Sequence, residues 1–340
     1  MNNDKYQKSR LLFVDDESEN LLTFRLNLED DFDILTTTSP LEALNILQQQ
    51  PDIGMMFVDQ VMPEMTGIEL ALEAKKVNST VTMVMLTGNA TKQLAIESVR
   101  TKVFWEFLEK PVDFSTAEMK QMIFSGIQAS LLQKANKGYR EGAIQLIAKL
   151  IDDKDGHTHK HSARVQEWSL KLAKKFNLTE HEMMIVKEGA LLHDIGKISI
   201  PDDILKKPGR LSALERKIIM THPGRGGDLL DSIPQLAELA PLARYHHERY
   251  DGKGYPKGLK GDEIPLLCVI VALADFYEAL SSKRPYKDPW HTGEIVKEIL
   301  SQRGKQFSER VVDAFMEVLK EEGIATQEQI QEKERELKVA

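Results

Sequence analysis

The chain has a single cysteine in 340 residues, so no disulfide can form within it. A fold stapled by such bonds is excluded, and the usage fits a reducing compartment. The lone thiol, Cys268, lies in the apolar run PLLCVIVALAD and is expected to be buried as a small hydrophobe. No apolar stretch approaches the ~18 residues of a membrane span. The polar start MNNDKYQKSR is unlike a secretory signal. A soluble, cytoplasmic protein is therefore expected. Positive charge is also in short supply: the formal net charge is −8, which argues against a surface that coats nucleic acid. An anionic ligand would have to be drawn by local cations. Internal repeats and low-complexity tracts are absent.

What is present divides in two. The runs RLLFVDD, FDILTTT, IGMMFVD, VTMVMLTG and VFWEFLEKP read as five strands without period-two alternation, as expected of parallel strands buried on both faces. Between them, SENLLTFRLNLED, SPLEALNILQQQ, TGIELALEAKK and TKQLAIESVRT read as helices, with Ser39-Pro40 supplying a cap and first-turn proline. These βα units predict a doubly wound α/β domain over residues 1–115. Residues 116–145 form a connector with a helical stripe at Met119, Met122, Ile123, Ile127 and Leu131, weakened at Gly126, Gly138 and Gly142. A plain interdomain helix with a kink and a signalling or dimerising helix are both open readings. Residues 146–335 read as an all-helical bundle. In it Thr179 and Glu182 form a capping box, and the helix they open ends at His193-Asp194. The segment SALERKIIMTHPG reads as one helix, GKGYPKGLKGDEIP as a loop folded over a pocket, and TQEQIQEKERELKVA as a solvated helix.

Two groups of residues carry chemistry. Asp15, Asp16, Asp59, Thr87 and Lys110 all fall at strand ends, so they meet at the carboxyl edge of the sheet. Three carboxylates there call for a hard cation such as Mg2+. Asp59 is then a candidate nucleophile towards a phosphoryl group, with Thr87 and Lys110 holding its oxygens.

In the helical half, five of the nine histidines fall in one ordered set: HSARV, LLHDIGK, THPG and HHERYDGKGYP, followed by ALAD. His161, His193, Asp194, His222, His246, His247 and Asp275 offer seven nitrogen and oxygen ligands, too many for one tetrahedral zinc and enough for two octahedral metals. His161, His193 and Asp275 would serve one cation and His222, His246 and His247 the other, with Asp194 bridging. Such a pair acidifies a water into a nucleophile and points to phosphate-ester hydrolysis. Lys197, Arg284 and Lys287 are candidate phosphate contacts. His181 and His291 are expected to be ordinary core histidines.

The strings VDDE, VDQVMPEMTG, LTG and FLEKP resemble the receiver domain of bacterial response regulators over nearly all of the first 115 residues. The resemblance implies that Asp59 is the phosphoacceptor for a cognate sensor histidine kinase, and that Asp15 and Asp16 join it in binding Mg2+. It makes Thr87 and Phe107 the switch pair, alongside Lys110. Gly88 stands where the family more often has alanine.

From about 145 to 315, HSARV, ALLHDIGKISIPDDIL, KPGRLS, HPGRGGDLL, YHHERYDGKGYPKGLKGDEIPL and SSKRPYK closely resemble the HD-GYP family. Its members hydrolyse cyclic di-GMP to pGpG or GMP with iron or manganese. By that resemblance the seven residues above are metal ligands, Asp194 and Lys197 serve catalysis, and Arg284, Lys287 and Tyr255 contact substrate. The Gly254-Tyr255-Pro256 loop becomes a docking place for a diguanylate-cyclase partner. His157 stands where some members carry a carboxylate that holds a third metal, so it is either a third-metal ligand or a rim residue. A non-catalytic effector and a hydrolase of another cyclic dinucleotide, such as cyclic GMP-AMP, remain alternatives. A homodimer is a further expectation.

Overall fold

The computed structural model describes residues 9–88, 103–156, 161–282 and 289–339. The chain forms two compact units, residues 1–140 and 141–340.

The first unit is a five-stranded parallel sheet in the order β2-β1-β3-β4-β5, with β1 at Arg10–Val14, β2 at Asp33–Thr37, β3 at Met55–Asp59, β4 at Thr82–Thr87 and β5 at Glu106–Glu109. Every neighbouring pair is parallel. Helices α1 (Ser18–Leu28), α2 (Pro40–Gln49) and α3 (Gly67–Val77) connect the strands. The expected helix TKQLAIESVRT lies outside the described residues.

Both faces of the sheet are covered, which explains the unbroken apolar runs. Leu12, Val14, Met56 and Val58 pack with Ala43, Leu47 and Leu70 on one side. Leu11, Phe13, Met55 and Phe57 pack with Phe24, Leu28 and Phe114 on the other. Alternation is thus present in geometry but invisible in polarity. Local signals fix the helix starts. Ser39 accepts from the Glu42 amide ahead of Pro40, and Thr66 and Glu69 form a reciprocal capping box.

Helix α4 runs from Ala117 to Asp155, ten residues past the expected connector and through Gly126, Gly138 and Gly142. In the first unit it buries Ile123 and Ile127 against the sheet. A Cβ on Gly126 would stand 2.6 Å from Met55 Cε, so glycine there lets the helix close onto β3. In the second unit Ile144, Ala148 and Ile151 pack with Leu191, Leu192, Ile195 and Leu230.

The second unit is all-helical. It comprises the end of α4, then α5 (His161–Ala173), α6 (Glu180–Leu192), α7 (Asp202–Leu205), α8 (Ala213–Ile219), α9 (His222–Asp231), α10 (Ala240–Tyr245), α11 (Leu266–Ser281), α12 (Thr292–Ser301), α13 (Glu309–Glu321) and α14 (Gln327–Val339). No helix among the described residues is long and apolar enough to cross a membrane.

Three expectations need correction. The segment SALERKIIMTHPG is two helices, α8 and α9, because Pro223 lacks an N–H and fits only in a helix's first turn, so a new helix opens at His222. Helix α14 is not wholly solvated, since Ile330 is 4% exposed and joins the core. His181 and His291 are surface residues: the His181 ring lies 3.2 Å from Glu238, and His291 precedes α12 with its amide donating to Glu294.

Helix α11 is the central element, with Cys268, Val269, Ile270, Val271, Ala272, Leu273 and Ala274 all buried. A fully buried aliphatic side chain of this kind contributes about 1.5–3 kcal/mol. Burial also pushes the Cys268 thiol up to about 12. The native protein is therefore expected to be inert to a disulfide reagent at pH 8 and to titrate one thiol once unfolded in guanidinium. Rapid reaction of the native chain would contradict this packing.

Candidate metal centre

Capping geometry and chain breaks place the ligands. The Thr179–Glu182 box starts α6, whose C-terminal cap is His193, and Asp194 begins the 3-10 turn Ile195–Ser199. Gly196 in that turn packs on the start of α9, where a Cβ would come within 1.9 Å of His222 O and 2.6 Å of Gly226 N. Only glycine lets the two backbones approach so closely. His246 follows α10 directly, His161 opens α5, and Asp275 sits in α11.

These side chains converge. Asp194, His222, His246 and His247 form one group with donor atoms within 4.8 Å of one another, and His161, His193 and Asp194 form a second. Asp194 belongs to both. Its Oδ1 lies 3.1 Å from His222 Nε2 and 3.7 Å from His246 Nε2, while its Oδ2 lies 3.2 Å from His193 Nε2 and 4.0 Å from His161 Nε2. Asp275 joins the second group, with Oδ1 3.4 Å from His161 Nε2.

The imidazoles are oriented from behind. His193 Nδ1 is 2.8 Å from Ala190 O, His222 Nδ1 is 2.7 Å from Ile219 O, and His246 Nδ1 is 2.9 Å from Ala243 O. His161 Nδ1 is 2.5 Å from Glu278 Oε2. Each acceptor fixes the proton on Nδ1 and leaves the Nε2 lone pair facing the cluster, the arrangement a metal-binding histidine needs. His193 Nε2 is buried and makes no hydrogen bond, with Asp194 Oδ2 3.2 Å away. A buried, unpartnered nitrogen aimed at a carboxylate fits a cation between the two.

The electrostatics agree. Burial disfavours charge on His193, yet Asp194 and Asp275 outweigh it and push the imidazole up to about 9. Against burial, Lys197 and His193 hold the Asp194 carboxyl well below the usual range. Burial, then His246 and His222, push His247 well below the ordinary imidazole value. The site thus favours positive charge near the Asp194–Asp275 carboxylates, with a neutral imidazole at His247.

Lys197 Nζ is 2.8 Å from Asp194 Oδ2 and 2.6 Å from Asp155 Oδ2, held in place by two carboxylates. Tyr255 stacks on His247 with ring centroids 4.9 Å apart at 27°. His157, Arg284 and Lys287 lie outside the described residues.

Sequence reasoning missed three carboxylates. Buried Glu278 receives His161 and also Arg164 Nε at 2.8 Å. Its only signal is the spacing DxxE from Asp275, which puts both on one face of α11. Buried Glu248 accepts from the amides of Lys257 at 2.7 Å, Gly258 at 3.2 Å and Leu259 at 3.0 Å, pinning the loop that carries Tyr255. Asp155 anchors Lys197.

Glu278→Ala tests the positioning role. It leaves His161 Nδ1 without its acceptor, which costs about 1–3 kcal/mol, and is expected to weaken metal binding about 10–100-fold. Competition with a chromophoric chelator reads this directly. An unchanged affinity would show that Glu278 only pairs with Arg164, and Arg164→Ala separates the two roles.

In the first unit, Lys110 Nζ reaches Asp15 Oδ2 at 2.9 Å and Asp59 Oδ1 at 2.6 Å. Asp15 and Asp59 are buried and Asp16 is exposed beside them. The Thr87 hydroxyl donates to Gln60 Oε1. Phe107, half-buried, packs on Phe104 with centroids 5.3 Å apart. The structure therefore brings the expected carboxylates and lysine to one sheet edge.

Comparison with known proteins agrees with both halves. The response regulator receiver domain family matches residues 11–124, and the HD domain family matches residues 145–311. A cyclic di-GMP phosphodiesterase of Thermotoga maritima is 32% identical over 295 residues, covering 79% of this chain and 80% of that one. The cyclic di-GMP phosphodiesterase response regulator RpfG of Xanthomonas campestris pv. campestris is 31% identical over 330 residues, covering 90% and 86%. A 3'3'-cGAMP-specific phosphodiesterase 2 of Vibrio cholerae is 39% identical over 183 residues, covering 52% of this chain and 35% of that one. With its receiver sheet, its buried histidine–aspartate cluster and relatives of the same two-part build, the chain belongs to the response regulators that join a receiver domain to an HD domain.

Proposed function

We propose that the chain is a two-component response regulator whose HD domain hydrolyses cyclic di-GMP to pGpG or GMP at a two-metal centre, under control of phosphorylation at Asp59. The observation that carries this reading is the division of Asp194: one oxygen faces His222 and His246, the other His193 and His161. A carboxylate so placed is built to bridge two cations.

His161, His193, Asp194 and Asp275 would hold one divalent cation, and Asp194, His222, His246 and His247 the other. Bound there, the cations supply Lewis acidity and lower the pKa of water. Imidazole–carboxylate sets accept iron and manganese, which are the proposed metals. His157 is the proposed ligand of any third ion. Hydrolysis breaks one P–O3′ bond, adds a water oxygen to phosphorus and returns a proton to the leaving oxygen. Among the chain's own groups, Lys197 is kept charged by Asp194 and Asp155 despite its burial, so it acts as a fixed cation. Burial, then Asp194, push Tyr255 up to about 12, leaving its hydroxyl as a donor for substrate. Arg284 and Lys287 are the proposed phosphate contacts.

In the receiver, Asp15, Asp16 and Asp59 would hold Mg2+, with Lys110 and Thr87 meeting the phosphoryl oxygens delivered by a cognate histidine kinase. A cytoplasmic location, homodimerisation through α4 and a diguanylate-cyclase partner at the Gly254–Pro256 loop complete the reading. Acetyl phosphate is expected to change the hydrolysis rate of the intact chain and to leave Asp59→Asn unaffected. An equal response in both would separate Asp59 from control.

A second reading, hydrolysis of cyclic GMP-AMP, is supported by the 39% identity to the Vibrio cholerae enzyme. One assay decides between them. The protein is purified without oxygen, loaded with iron or manganese, given each cyclic dinucleotide and its products separated by chromatography. Linear product that requires metal is expected from cyclic di-GMP. Binding without turnover would make the chain an effector.

A further inference from the structure

Beside the metal-binding cluster the second unit carries a cavity of about 690 Å3. His247 and Tyr255 form the wall it shares with the cluster, and Arg210, Arg216 and Lys253 stand around it with the apolar side chains of Ile219 and Met220. Its volume is that of an ordinary small-molecule site.

Some cations of the same unit are neutralised by carboxylates: Lys207 by Glu215 at 2.7 Å, Arg244 by Asp228 at 2.7 Å, and Lys154 by Asp202 at 2.7 Å. Arg249, also on the cavity wall, pairs with Asp251 at 2.9 Å. Arg210, Arg216 and Lys253 instead make no side-chain hydrogen bond or ion pair with any described residue. Three like charges around one hollow repel one another, and in a chain of net charge −8 carboxylates are plentiful. Their concentration at one cavity is an unmet demand for an anion.

A cyclic dinucleotide carries two phosphodiesters on one macrocycle. With one of them at the Asp194 cluster, the other must lie within a ring's breadth of it, and the shared wall of His247 and Tyr255 marks that direction. We propose that Arg210, Arg216 and Lys253 bind the second, non-reacting phosphate of the substrate, with Ile219 and Met220 receiving the attached base. The cavity is then the subsite that selects a two-phosphate ring over a simple phosphodiester. This rests on the hydrolase reading above and deepens it.

The test compares the full-length, metal-loaded wild type with the triple variant R210A/R216A/K253A on two probes. Cyclic di-GMP has two phosphates, and bis(p-nitrophenyl) phosphate has one. The expected result is a fall in kcat/KM for cyclic di-GMP at least tenfold greater than the fall for the one-phosphate ester, carried mainly by KM. The doubly conservative R210K/R216K variant is expected to keep most of the activity, since charge is retained. Equal falls on both probes, or no fall on either, would overturn the subsite. Titration calorimetry with cyclic di-GMP reads the same proposal without turnover. Wild-type binding that weakens at least tenfold in the triple variant supports it, and absent or equal binding overturns it. Wild-type binding without hydrolysis would sink the catalytic reading alone.

Discussion

Asp194→Asn is expected to abolish hydrolysis, on the order of 10³-fold or more, the scale of losing a group that stabilises charge in the transition state. The side chain is 5% exposed and both its oxygens are in use, Oδ1 towards His222 and His246 and Oδ2 towards His193 and Lys197. Asparagine keeps the shape but supplies one acceptor oxygen where two are needed. Its amide hydrogens must then face either Lys197 or an imidazole. Metal content should fall below two ions per chain, while the helical circular dichroism persists, because Lys197 retains Asp155. Turnover and metal content equal to the wild type would refute the bridging assignment.

Gly196→Ala is expected to damage the same site through the backbone. The added methyl would stand 1.9 Å from His222 O and 2.6 Å from Gly226 N, atoms of main chain that cannot rotate away. The turn or the start of α9 must shift, displacing His222. Overpacking of this kind costs about 3 kcal/mol, roughly 6–12 °C in Tm for a domain of this size. Gly224→Ala in the same helix meets nothing within 4 Å and is the control, expected to be neutral. Calorimetric unfolding of both variants settles the contrast. A Gly196→Ala protein with unchanged Tm and metal affinity would show that the close approach is not required.

The parts legible in the sequence share one property: their signals are local or chemically rare. The inner strands β1, β3 and β4 announce themselves as apolar runs because both their faces are buried, and β1 to β5 all fall inside the runs that predict them. Histidine is scarce, so five members in fixed order stood out, and the structure gathers all five with Asp194 in the second unit. Glu278, Glu248 and Asp155 were illegible for the opposite reason. Among 53 acidic residues nothing local marks these three, and their roles depend on which imidazole, amide or ammonium folds against them.

Helix limits failed where packing overrode propensity. Gly126 reads as a weak point but is where α4 meets Met55. Pro223 reads as the end of one helix but sits in the first turn of the next. Arg210, Arg216 and Lys253 are unremarkable in sequence, and only the cavity makes them a group.

The central claim is that two cations share one aspartate. Anomalous diffraction from crystals of the anaerobically purified, iron- or manganese-loaded protein measures this directly. Two peaks per chain about 3.5–4 Å apart, one on each oxygen of Asp194, are expected. A single peak, or two that do not share Asp194, would contradict it.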